Sequence, residues 1–137
     1  MKKIIILGST GSIGQQTLEI VRKFPQKFQI IGLAGGKNYK LLQKQIQEFK
    51  PTFASIDEQY TQILQKTHKI KILSLEELAI QKCDLIVSAI AGVAGLTPTL
   101  SAIQTGRHIA LANKESLVLA GEIMLKAAKK SGAKIFP

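Results

Sequence analysis

Apolar residues along this chain fall into two alternating rhythms. Short runs rich in β-branched residues, at 3–7, 28–34, 52–56, 70–73, 84–89, 108–111 and 134–136, predict strands. The segments between them carry apolar residues at helical spacing. The first such segment, 12–23, places Ile13, Leu18 and Val21 on one stripe, with Ile20 and Phe24 beside it. The second, 38–49, uses Leu41, Leu42, Ile46 and Phe49 as its inner stripe. Shorter helices are expected from Asp57 to Thr67 and after Ser74. Further helices are expected over 96–105 and from Asn113 or Lys114 to Ser131. The stop and start signals agree with this division. Pro25 and Pro51 end the first two helices, because the residue before a proline disfavours helix. Asn38 and Asp57 can cap helix starts, and Ser74-Leu75-Glu76-Glu77 has the form of a capping box. Gly106 and Gly132 close the last two helices.

Strand and helix alternate with no internal repeat and no linker. The strands are apolar throughout, so both of their faces are expected to be buried. That requires a parallel sheet with right-handed crossovers and helices on both sides. The expected fold class is therefore α/β, a doubly wound, Rossmann-like, mostly parallel sheet forming one domain over residues 1–137. In such a sheet every loop that follows a strand emerges at the same edge. Four loops of unusual composition do follow strands: 8–14, 35–38, 89–95 and 112–116. They are expected to converge.

The first of them reads Gly8-Ser9-Thr10-Gly11-Ser12-Ile13-Gly14 between the first strand and the first helix. Strand, glycine turn and helix is the order of a dinucleotide-binding βαβ unit. Gly8 lets the chain turn, Gly11 keeps a Cβ away from an approaching pyrophosphate, and Gly14 lets the helix sit close on the strand. The free N–H groups and positive dipole end of the helix would face the phosphates. The glycine spacing is one residue longer than the common G-x-G-x-x-G form. The hydroxyls of Ser9, Thr10 and Ser12 are candidate phosphate donors. A purely structural glycine turn is the plainer alternative.

The end of the second strand bears on the choice of cofactor. An NAD site usually carries an acid there to hold the ribose 2′-OH. This chain has Ala34-Gly35-Gly36-Lys37-Asn38, which offers a lysine and two glycines. Lys37 attracts a 2′-phosphate that a carboxylate would repel, so NADP(H) is expected over NAD(H). A glycine turn with a solvated lysine is the alternative. The loop after the sixth strand, Ala112-Asn113-Lys114-Glu115-Ser116, sets an amide, a cation and a carboxylate in succession. Such a set can hold a phosphate or a cofactor amide, or it can be an ordinary helix start.

Composition narrows the partners. The net charge is +10, from 19 Lys and Arg against 9 Asp and Glu. The cations are scattered, without basic runs or interleaved aromatics, so nucleic acid is not expected and phosphorylated ligands are. No apolar run reaches the roughly 18 residues of a membrane span. A first segment that runs straight into the glycine turn does not look like a removable leader, and the lone Cys83 cannot form an internal disulfide. A cytoplasmic protein is expected. Cys83 lacks a neighbouring activator, His68 lies in a polar stretch, and His108 opens a strand. All three are read as structural or solvated. Lys126, Lys129 and Lys130 suit a helix C-terminus.

Four stretches occur together in order: GSTGSIG at 8–14, AGGKN at 34–38, AIAGVAGLTPT at 89–99 and ANKESLV at 112–118. With them the whole chain resembles the N-terminal domain of the 1-deoxy-D-xylulose 5-phosphate reductoisomerases, NADPH enzymes of the non-mevalonate isoprenoid pathway. The resemblance implies that Gly8, Thr10, Gly11, Ser12 and Ile13 meet the pyrophosphate and adenosine side of NADPH. It implies that Gly36, Lys37 and Asn38 meet the 2′-phosphate region, with Gly35 beside them. Asn113 and Glu115 would bind cofactor and Lys114 the sugar-phosphate substrate, while 89–92 lie along the cofactor. It further implies a homodimer, and a Mg2+ or Mn2+ ion held by acids beyond a proline matching Pro137. On this reading the chain is a truncated piece that binds NADPH without turnover. The full enzyme would convert 1-deoxy-D-xylulose 5-phosphate to 2-C-methyl-D-erythritol 4-phosphate. Another NADP-dependent dehydrogenase domain, or a nucleotide-binding module without catalysis, are the alternatives.

Overall fold

A computed structural model of the chain describes residues 1–112 and 114–137, without the side chains at 114–116 and 119. Among these residues seven strands form one parallel sheet: β1 (Lys2–Leu7), β2 (Phe28–Ala34), β3 (Phe53–Ser55), β4 (Lys71–Ile72), β5 (Leu85–Ser88), β6 (Ile109–Leu111) and β7 (Ile135–Phe136). Their spatial order is β4-β3-β2-β1-β5-β6-β7. Chain order therefore reverses between β1 and β5. Leu7 of β1 is level with Ala34 of β2 on one side and with Ser88 of β5 on the other.

The alternation along β1 explains why helices cover both faces. Ile4 and Ile6 point to one side, into a core with Leu18, Val21, Leu42, Ile46 and Leu64. Those residues come from α1 (Ser12–Lys23), α2 (Tyr39–Phe49) and α3 (Thr61–Thr67). Ile5 and Leu7 point the other way, toward Leu78, Ile103 and Met124. Those belong to α4 (Leu75–Ala79), α5 (Leu96–Gln104) and α6 (Lys114–Ser131). Each fully buried Ile or Leu contributes about 1.5–3 kcal/mol of transfer free energy. The expected doubly wound sheet is thus the observed one.

Several local expectations need correction. In α1 the buried stripe is Gly14, Leu18 and Val21, whereas Ile13 (44%), Ile20 (55%) and Phe24 (46%) are exposed. Gly14 sits directly against the backbone of Gly8 and Ser9, so the inward stripe of α1 runs through Gly14 and not through Ile13. In α2 the buried residues are Leu42, Gln45 and Ile46, with Leu41 and Phe49 only half-buried. The expected helix after Asp57 begins as a 3-10 turn, Glu58–Tyr60, before α3. Residues Val93–Gly95, expected as loop, also form a 3-10 turn. Helix α6 is broken at Ala120, whose φ of −135° is not helical, immediately before Gly121.

Candidate functional site

The carboxyl ends of the strands open on a cleft of about 790 Å3 beside the β1/β5 reversal. Three of the four expected loops meet there. Gly8, Thr10 and Gly11 come from the first, Gly35 and Gly36 from the second, and 89–91 and Ala94 from the third. Asn113 lies outside the described residues, as do the side chains of Lys114 and Glu115.

Close approach of backbone to backbone shapes the first loop. Gly8 has φ +91°, and a Cβ there would stand 2.7 Å from the Ala89 carbonyl oxygen at the end of β5. A Cβ on Gly14 would lie 2.1 Å from the Gly8 carbonyl oxygen. Glycine is therefore required at both places by the fold itself. Gly11 differs: its φ of −79° suits any residue, and a Cβ would meet only the Gly8 oxygen at 3.7 Å. Among the described residues nothing asks for glycine at 11.

Gly11 occupies the N-cap position of α1, and no side chain caps that helix. Gln15 N–H donates to the Gly11 carbonyl at 2.9 Å, but among the described residues the N–H groups of Ser12, Ile13 and Gly14 have no partner. Three donors at the positive end of a twelve-residue helix are thus left open.

The other half of the turn is tied down. Ser9 is fully buried, its N–H donating to the Ala34 carbonyl at 2.8 Å and its hydroxyl to the same oxygen at 3.4 Å. In this structure the Ser9 hydroxyl is thus turned toward Ala34 and buried. The Thr10 hydroxyl donates to the Gly35 carbonyl at 2.9 Å, so its proton is also committed. Ser12 and Ile13 are exposed on the first turn of α1. They do not line the cleft itself, and neither do Lys37 and Asn38. Lys37 is exposed directly after Gly36, whose carbonyl accepts from Asp57 N–H at 2.8 Å. Asn38 caps α2, its side-chain oxygen accepting from Leu41 N–H at 3.3 Å.

Sequence reasoning missed two groups. Asp57, Glu58 and Glu76 also line the cleft. Their positions just after β3 and β4 were the available signal. Gln45 is 5% exposed and its amide N–H donates to the Ser9 carbonyl at 2.9 Å. The Ser88 and Thr99 hydroxyls, also buried, bond at 2.7 Å and hold α5 to the end of β5.

His68, His108 and Cys83 do not line the cleft. His108 lies at the amino end of β6, away from the cleft, and its Nδ1 accepts from Lys134 N–H at 2.9 Å. Burial pushes the Cys83 thiol up to about 11, which leaves it protonated at neutral pH. No helix among the described residues is long and apolar enough to cross a membrane.

An all-parallel doubly wound sheet, with a cleft at the strand-order reversal and a glycine turn beneath a helix start, is a Rossmann-like α/β domain. Residues 4–121 match the family model for 1-deoxy-D-xylulose 5-phosphate reductoisomerase. The chain belongs to that family. It is 44% identical over 144 residues to the reductoisomerase of Thermodesulfovibrio yellowstonii, covering 100% of this chain and 38% of the relative. A crystal structure of DOX-P reductoisomerase with NADPH, fosmidomycin and magnesium superposes with TM-score 0.93 at 41% identity, covering 98% of this chain and 36% of that one. The Zymomonas mobilis reductoisomerase with NADPH gives TM-score 0.93 at 34% identity, over 99% of this chain and 38% of that one. The chain therefore spans a little over a third of the length of the relatives it matches.

Proposed function

We propose that residues 1–137 form the NADPH-binding domain of a 1-deoxy-D-xylulose 5-phosphate reductoisomerase, which rearranges and reduces that substrate to 2-C-methyl-D-erythritol 4-phosphate. The observation that carries the reading is the start of α1. Three unpartnered N–H groups lie there behind a glycine that the fold does not need, at the β1/β5 reversal. A dianionic pyrophosphate satisfies those donors and the helix dipole together. A Cβ at 11 would stand in its way.

Bound NADPH supplies a hydride. The role of this chain is to hold and orient it: 11–14 at the pyrophosphate, Gly35, Gly36 and Asn38 along the adenosine ribose, and Lys37 at the 2′-phosphate. Asn113 and Glu115 would hold cofactor and Lys114 the sugar phosphate. Among the described residues no group of three or more His, Cys, Asp or Glu can hold a metal ion, so none of them is assigned to the Mg2+ or Mn2+ of the reaction. With this function come a homodimer and a cytoplasmic setting.

Calorimetric titration with NADPH and NADH tests the proposal, with Lys37→Glu as the comparison. NADPH should bind more tightly than NADH. The variant should lose at least about tenfold in NADPH affinity, near 1.4 kcal/mol, with little change for NADH. Equal affinity for both cofactors would remove Lys37 from the 2′-phosphate. Failure of a folded protein to bind either would remove the site.

A further inference from the structure

We infer that Gln45 is a positioning residue for cofactor binding: from α2 it holds the Ser9 carbonyl, and so fixes the half of the glycine turn from which the open N–H groups of α1 are presented. The inference rests on the reading that this turn receives the pyrophosphate. Gln45 is 95% buried by its 5% exposure, on the inner face of α2 between Leu42 and Ile46. A carbonyl can only accept, so the side chain must present its NH2 to Ser9, at 2.9 Å. This leaves the Gln45 side-chain oxygen buried without a partner. An apolar residue of the same size would instead leave the Ser9 carbonyl unmet. Either way one buried acceptor goes unsatisfied, so the hydrogen bond offers the fold little net stability. What differs is which atom is anchored.

The anchor completes a set. Ser9 N–H and hydroxyl reach the Ala34 carbonyl, the Thr10 hydroxyl reaches the Gly35 carbonyl, and Gln45 closes on Ser9 from the helix side. Helix α2 itself begins at Tyr39, behind its cap Asn38 and directly after Gly36 and Lys37. One rigid helix thereby joins the pyrophosphate turn to the segment assigned to the 2′-phosphate. Loss of the Gln45 link should loosen the turn without touching Lys37. Both dinucleotides share the pyrophosphate, so both should weaken equally.

The test is Gln45→Met, with Gln45→Leu as a second apolar variant that likewise offers no donor to Ser9. Calorimetry with NADPH and NADH is paired with thermal unfolding. In whichever variant folds, both affinities should fall about tenfold by the same factor, the NADPH/NADH ratio should hold, and the unfolding midpoint of Gln45→Met should stay near that of the parent. Unchanged affinities would overturn the inference while leaving the cofactor site intact. So would an affinity loss that merely follows loss of folded protein, or failure of both variants to fold. A parent protein that binds neither dinucleotide would overturn both readings.

Discussion

Helices α1 and α4 both begin at the carboxyl edge of the sheet and both border the same cleft, yet they end their backbones in opposite ways. Helix α4 closes itself. The Ser74 hydroxyl accepts from Glu77 N–H at 3.1 Å, and the Glu77 carboxylate accepts from Ser74 N–H at 3.0 Å. Helix α1 has a glycine where α4 has serine, and its terminal donors face outward without a cap. An anion at α4 would compete with a carboxylate already in place. An anion at α1 would meet donors that no side chain among the described residues claims. The contrast teaches that two helix starts on one cleft can differ in whether their backbone donors are already satisfied.

The comparison can be broken most severely at Gly14. Gly14→Ala places a Cβ within 2.1 Å of the Gly8 oxygen and 2.6 Å of the Ser9 Cα, both backbone atoms that cannot swing away. Stability to urea should fall by about 3 kcal/mol or more, at the upper end of overpacking costs. A variant as stable as the parent would mean that α1 does not seat on the turn as described.

Gly11→Asp sharpens the contrast by giving α1 the kind of cap that α4 has. Stability should change by only a few tenths of a kcal/mol, since glycine is itself tolerated at N-caps. NADPH affinity should fall by about a hundredfold or more, near 2.7 kcal/mol, because a carboxylate then occupies the anion position. Undiminished binding measured by calorimetry would place the pyrophosphate elsewhere.

The smallest effects belong to α4. Ser74→Ala should cost about 1 kcal/mol of stability and leave NADPH affinity within about twofold. The Ser74 backbone and hydroxyl hold the Glu77 carboxyl below the usual carboxylate range. A lowered value means that its share of stability is present above that range and is lost as pH falls through the lowered value. Glu77→Gln keeps an acceptor that does not titrate. The acid limb of an unfolding-midpoint profile should therefore be shallower in that variant, and an unchanged limb would remove Glu77 from the cap.

Much of the fold was legible because its signals are local. Asn38, Asp57 and Ser74 cap where expected, and Lys50 ahead of Pro51 and the positive-φ Gly106 and Gly132 close their helices. Alternation along 4–7 dictated two cores from neighbouring residues alone. The glycine turn could be read for the same reason, since its glycines act on backbone a few residues away. The cleft was legible only in part. That 8–14, 35–36 and 89–91 meet follows from parallel topology, but that Asp57, Glu58 and Glu76 also line the cleft required the positions of β3 and β4.

By itself, then, the sequence determined which segments are strands and helices, where most helices begin and end, and that one turn carries the glycine pattern expected of a phosphate cradle. These depend on the backbone preferences of single residues and on the repeat of apolar positions. Only the tertiary structure decided which polar groups stay free. Ser9 and Thr10 looked as available as Ser12, yet their hydroxyls are taken by carbonyls 25 residues away. Gln45 carries no signal in the sequence, yet it is buried against Ser9, 36 residues distant. A hydrogen bond between remote segments leaves no periodic trace in either of them. Its partner exists only once the sheet has brought the two segments together.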